Sequence, residues 1–116
     1  MSISLLTAEQ LFGLFELDAS GTVLYYRTEP GGERNAMPPD MAGHNFYDEV
    51  APFENVEEFR RCVTAFTQGP TPADSFNFEC RYEGSGERVK VLLARISERV
   101  NQSKTKSVLV HFRRSA

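Results

Sequence analysis

The side chains of this sequence able to perform chemistry are scattered rather than clustered. Its two cysteines are Cys62 and Cys80, and its two histidines are His44 and His111. Two isolated histidines do not assemble the four-ligand shell of a zinc site. His111 alternates with Val110 and Phe112, so it points away from the face those two share. Two cysteines are too few for a disulfide framework, and both read as reduced, buried thiols. Carboxylates gather at Asp48/Glu49, Glu54 and Glu57/Glu58. An acid–base pair needs such groups buried and converging; this spacing instead fits solvated helix ends. Glu83-Gly84-Ser85-Gly86 reads as a hairpin turn, not as the strand-to-helix elbow that presents a nucleophilic serine. No glycine-rich phosphate loop precedes a helix. An enzyme is therefore not expected, and the chemistry that remains is binding.

What must position these groups is one small domain. A chain of 116 residues suits one domain and no more. The apolar fraction is 41%, with nine Phe and four Tyr, enough for a core without metals or disulfides. The net charge of -3, with basic residues clustered no further than pairs such as Arg113-Arg114, argues against nucleic acid. No apolar run approaches the roughly 20 residues that cross a bilayer. The N-terminus lacks a basic stretch followed by an apolar one, so it does not read as a secretory signal. A cytoplasmic protein that binds neither membrane nor nucleic acid is expected.

Residues 1–12 read as an N-terminal cap and 13–116 as the domain proper. Thr7 and Gln10 stand at capping-box spacing for a short helical stretch. Residues 14–18 and 22–27 read as a hairpin across Ala19-Ser20-Gly21, where Gly21 can take φ > 0. Residues 28–43 hold Pro30, Gly31, Gly32, Pro38, Pro39 and Gly43, which leave room for single helical turns only. Residues 45–50 fit another short turn of helix. Asn55 then caps the best helix of the chain. Val56, Phe59, Cys62, Val63 and Phe66 form its apolar stripe, and Gly69-Pro70 ends it. Phe76, Phe78, Cys80 and Tyr82 alternate with polar residues, as do Val89, Val91 and Leu93, and then Val108, Val110 and Phe112. The fold class is α+β: a five-stranded antiparallel sheet with helices packed on one face.

That order is the PAS order. At Gly43-His44-Asn45-Phe46-Tyr47-Asp48-Glu49-Val50-Ala51-Pro52 the sequence resembles the signature of the photoactive yellow protein family. Phe15-Glu16-Leu17-Asp18, Gly21 and the pair Tyr25-Tyr26 fit the same resemblance, which covers about residues 11–113. It implies a PAS-fold sensory protein. In that family the residue after Ala-Pro is a cysteine carrying 4-hydroxycinnamic acid as a thioester. Here Phe53 stands there, and a phenyl ring supplies no thiolate. By the same resemblance Tyr26 takes the position of the tyrosine that hydrogen-bonds the chromophore. The family glutamate falls on Pro30, with Glu29 adjacent, and Arg34 lies in the loop of the pocket arginine. Some PAS domains hold haem through a histidine, but the resemblance gives His44 the place of a solvent-facing basic residue.

The candidate pocket residues are thus Tyr26, Glu29, Arg34, Phe46, Phe53 and Phe66. Tyr26 either donates to a ligand or bonds a backbone carbonyl as an ordinary strand aromatic. Phe53 either fills the pocket or flanks a non-covalent planar ligand. Leu5, Leu6, Leu11 and Phe12 either form a dimer contact or cap the chain's own sheet. The cofactor is expected to be none, or an unidentified non-covalent small ligand, with no covalent 4-hydroxycinnamic acid. The partner is expected to be a signalling protein or a second copy of the chain. Two readings stay open: a ligand-binding sensor, or a protein-interaction and dimerisation module.

Overall fold

A computed structural model describes residues 5–28, 41–100 and 103–114. The expected Glu29 and Arg34 lie outside the described residues. Strands β1 (Gly13–Asp18), β2 (Val23–Thr28), β3 (Ala73–Tyr82), β4 (Ser85–Val100) and β5 (Ser103–Arg114) form one antiparallel sheet in the order β2-β1-β5-β4-β3. Between β2 and β3 stand a π-helical turn, Phe46–Val50, and the helix α1, Val56–Gln68. The α+β class is as expected, although the strands run longer than their apolar alternation: β4 continues to Val100.

Register explains the one-sided core. Phe15 pairs with Val110 and Leu17 with Val108, while Val91 pairs with Phe112 and Leu93 with Val110. Side chains directly opposite share a face, so these residues make one apolar surface at the centre of the sheet. Both helical segments cover it: the Phe112 ring lies 5.3 Å from Phe59 of α1 and 5.8 Å from Phe46 of the π-turn. The opposite parity places Leu14, Leu92, Leu109 and His111 along a shallow groove on the other face. Among the described residues no helix is long and apolar enough to cross a membrane.

Several local expectations take a different form. Thr7 and Gln10 do exchange backbone-to-side-chain hydrogen bonds, at 3.1 and 3.3 Å, but the helix they start is a single 3-10 turn, Glu9–Leu11. Asn55 occupies the N-cap position of α1 without capping it. Its side chain reaches β3 instead, donating to the Glu79 carbonyl at 2.8 Å and accepting from the Arg81 N–H at 2.9 Å. The carboxamide can do this because it offers a donor and an acceptor side by side, matching the exposed edge of a strand. Cys62, placed on the apolar stripe by its spacing, is only half-buried, whereas Cys80 is fully buried. Leu6, Leu11 and Phe12 are buried in the chain's own core, which leaves Leu5 as the exposed member of that group.

Candidate functional site

The signature segment is fastened to the β1–β2 turn by its own residue types. Asn45 caps the π-turn, its Oδ1 accepting from the backbone N–H groups of Tyr47 and Asp48 at 3.0 and 3.1 Å. Glu49 reaches back, its Oε2 accepting from the Asn45 N–H at 3.0 Å and its Oε1 lying 3.1 Å from His44 Nδ1. These contacts hold the Glu49 carboxyl below its usual range, the Asn45 backbone hydrogen bond first and His44 second. Asn45 Nδ2 donates to the Ser20 carbonyl at 3.0 Å, and the Phe46 N–H donates to the Gly21 carbonyl at 2.8 Å. Gly21 is required here: its φ is +90° and a Cβ would stand 2.4 Å from Tyr47 Cε2.

This fastening drives the Phe46 ring into the core, where a continuous aromatic cluster forms. Phe46 meets Phe15 edge-on at 5.1 Å, and Phe15 stacks on Tyr26 at 4.7 Å. Phe53 lies two residues beyond the turn's C-cap, Ala51, and is 3% exposed. Its ring meets Phe78 at 5.6 Å and Phe59 at 5.8 Å, both at steep interplanar angles, with Phe46 and Phe112 each at 6.5 Å. Steep crossings put the positive edge of one ring on the negative face of the next, the favoured aromatic geometry.

Of the expected pocket residues, the structure brings Phe46 and Phe53 together and joins Tyr26 to them through Phe15. The Tyr26 hydroxyl donates to the Gln10 carbonyl at 2.6 Å, the backbone partner of the ordinary strand reading. Burial pushes that phenol up to about 12, so it stays protonated. Phe66 sits apart, near the end of α1, with the Arg95 guanidinium 5.3 Å from its ring. Cys62 lies on α1 and Cys80 on β3, both outside the segment. Burial raises the Cys62 thiol, helped by Glu58, and burial pushes Cys80 up to about 12.

No sequence motif marks Arg95, yet it ties α1 to the sheet. Its Nη2 donates to the carbonyls of Phe66 and Gly69 at 2.7 and 2.6 Å, and Nη1 donates to that of Thr67 at 3.1 Å. A cation at a helix C-terminus both satisfies orphan carbonyls and complements the dipole. The readable signal was parity: position 95 continues the inward series Val89, Val91, Leu93, so a guanidinium there must meet something behind the sheet.

Comparison with known proteins places this geometry. No family model matches the chain. The photoactive yellow protein of Cereibacter sphaeroides is 34% identical over 80 residues, covering 69% of this chain and 64% of that protein. That of Rhodothalassium salexigens is 32% identical over 87 residues, covering 72% of this chain and 67% of its own. The chain belongs to the photoactive yellow protein family. The photoactive yellow protein of Halochromatium salexigens gives 32% over 80 residues. Aligned residues thus make up just under two thirds of the length of the Cereibacter protein. The five-stranded antiparallel sheet and its one-sided helices agree with this family's PAS fold.

Proposed function

We propose that this chain is a sensory PAS module that works without a 4-hydroxycinnamoyl thioester, its family pocket being filled by its own aromatic side chains. The burial of Phe53 among Phe59, Phe78, Phe46 and Phe112 carries this reading. By the family resemblance Phe53 follows Ala51-Pro52 where the chromophore cysteine would stand. Thioester formation needs a thiolate, and the two thiols the chain does have are both shifted towards the protonated form. The module acts by binding rather than catalysis, and its output passes through a signalling partner or a second copy.

The test is direct loading. The purified chain is incubated with an activated 4-hydroxycinnamoyl donor, with a photoactive yellow protein as control, and followed by intact mass and visible absorption. The expected result is no mass increment and no visible band. Stoichiometric covalent loading, with a shifted absorption band, refutes the reading whichever cysteine carries the group.

The interaction-module reading has its own support in the groove of Leu14, Leu92 and Leu109 and in Leu24 and Tyr25, which are 45% and 47% exposed. Sedimentation velocity across a concentration series tests it. Self-association weakened by Leu109→Asp places the contact on that face, and a monomer throughout leaves output to another protein.

A further inference from the structure

A partly enclosed cavity of about 220 Å³ lies between α1, the β1–β2 turn and β5, and the proposed function makes no use of it. Part of its lining is apolar core: Leu17, Val63 and Val108 are all buried. Tyr47 adds an aromatic wall, its phenol kept neutral by burial, which pushes it up to about 12 against the pull of Arg60. The rest of the lining is cationic on balance. Arg60 and Arg95 both border the cavity, against the carboxylate of Asp18 among the described residues.

The charges are unequally committed. Asp18 Oδ1 already accepts from the backbone N–H groups of Ser20 and Thr22, each at 2.9 Å. Arg60 has one carboxylate neighbour among the described residues, Glu57 at 3.9 Å, in an exposed pair that solvent screens. Arg95 spends both Nη atoms on helix-end carbonyls, but its Nε is buried with no partner among the described residues. The open donors beside the apolar wall are therefore those of Arg60, and a guanidinium fork so placed suits a planar anion on an apolar body.

We propose that this cavity binds a small monocarboxylate whose apolar body is about one ring in size. The volume sets the size: a cavity of roughly 150 Å³ holds benzene, and ordinary ligand sites begin at about 300 Å³. A bare inorganic anion would leave most of this volume and the Tyr47 ring without a partner, and a polyanion would meet the Asp18 carboxylate. The site is distinct from the Phe53 cluster: Phe59 of α1 meets Phe53, and Val63, one turn further along the helix, meets the cavity. Occupancy therefore does not require Phe53 to move, and the proposal stands or falls apart from the thioester question.

The test uses the isotope-labelled full chain, titrated with benzoate and, separately, with its neutral isostere benzamide. The amide resonances of Ser20, Thr64 and Thr67 are expected to shift saturably with benzoate. Benzamide, and benzoate with the Arg60→Gln variant, are expected to bind at least about tenfold more weakly, the loss of one charge-assisted hydrogen bond. Arg60 is exposed, so the variant's own spectrum reports an unchanged fold, and Arg60→Lys provides a second variant that restores charge without the fork. No saturable shift with benzoate, shifts centred on the opposite sheet face, equal affinity for benzamide, or indifference to Arg60→Gln each overturns the proposal.

Discussion

Replacing Phe53 by alanine separates a ring that fills the family pocket from a ring that merely gates an open one. Phe53 is 3% exposed and crosses Phe78 and Phe59 at 5.6 and 5.8 Å. Truncating a buried phenylalanine costs about 3–5 kcal/mol, part of it transfer and part the cavity left behind. The two edge-on ring contacts, at about 1 kcal/mol each, belong within that figure. A domain of this length has about 5–15 kcal/mol in total, so the variant should fold but lie close to its limit. At about 4 °C per kcal/mol the midpoint falls by about 15 °C. Phe53→Leu, which keeps most of the volume, should cost about 1–2 kcal/mol. The sequence has no tryptophan, so urea unfolding is best followed by circular dichroism, with an unchanged m-value confirming that stability alone has moved. Benzene should raise the midpoint of Phe53→Ala by more than it raises that of the parent, because the truncation adds an enclosed apolar cavity of ring size that the parent's core does not have. A loss below about 1 kcal/mol, or an equal benzene response in both proteins, refutes the filled-pocket reasoning.

Gly21→Ala should cost about 2 kcal/mol or more, since it combines a φ of +90° with a Cβ 2.4 Å from Tyr47 Cε2. Gly84→Ala, at φ +77° with nothing within 4 Å, should lose only the backbone penalty of about 1 kcal/mol; equal urea midpoints for the two would show that Tyr47 yields freely. The lowered Glu49 carboxyl contributes stability above its unfolded value of about 4.3, lost as pH falls through the folded one. The thermal midpoint of the parent should therefore exceed that of Glu49→Gln at neutral pH, and the gap should close in acid; a gap independent of pH would exclude the charge as its cause. Iodoacetamide at neutral pH should label Cys62 slowly and Cys80 only after unfolding, read by peptide mass, because Cys80 is fully buried and its thiol pushed up to about 12.

Much of the fold was legible because its elements carry local signals. The period-two alternation of Phe76, Phe78 and Cys80 and the stripe Phe59, Val63, Phe66 each name an element without help from the rest of the chain. Strand ends were less legible: β4 runs on to Val100 because β5 supplies hydrogen-bond partners along its whole length, Val100 pairing with Ser103, and pairing is not written in either strand alone. Asn55 illustrates the same limit. Its position before Val56 is a cap signal, yet the strand edge at Glu79 and Arg81 wins the side chain because that edge otherwise leaves a carbonyl and an N–H without partners. Local propensity proposes, and tertiary satisfaction of backbone groups decides.

The candidate site divides along the same line. Phe53 was legible because a ten-residue motif runs up to it without a gap and each motif residue has a local task, Asn45 as cap, Phe46 and Val50 as core. The cavity was not legible, because its lining comes from five segments that meet only in three dimensions: residues 17–20, 47, 60–67, 95 and 107–108. Arg60 lies off the apolar stripe of α1, which in isolation means solvent. Only the approach of the β1–β2 turn gives that position a second wall, and that approach is set by Gly21 receiving the Tyr47 ring. The fastening that drives Phe46 into the core also stands Tyr47 beside Arg60, 5.4 Å from guanidinium carbon to ring centroid. The two consecutive aromatic residues of the motif thus face different spaces, Phe46 the aromatic core and Tyr47 the cavity beside it.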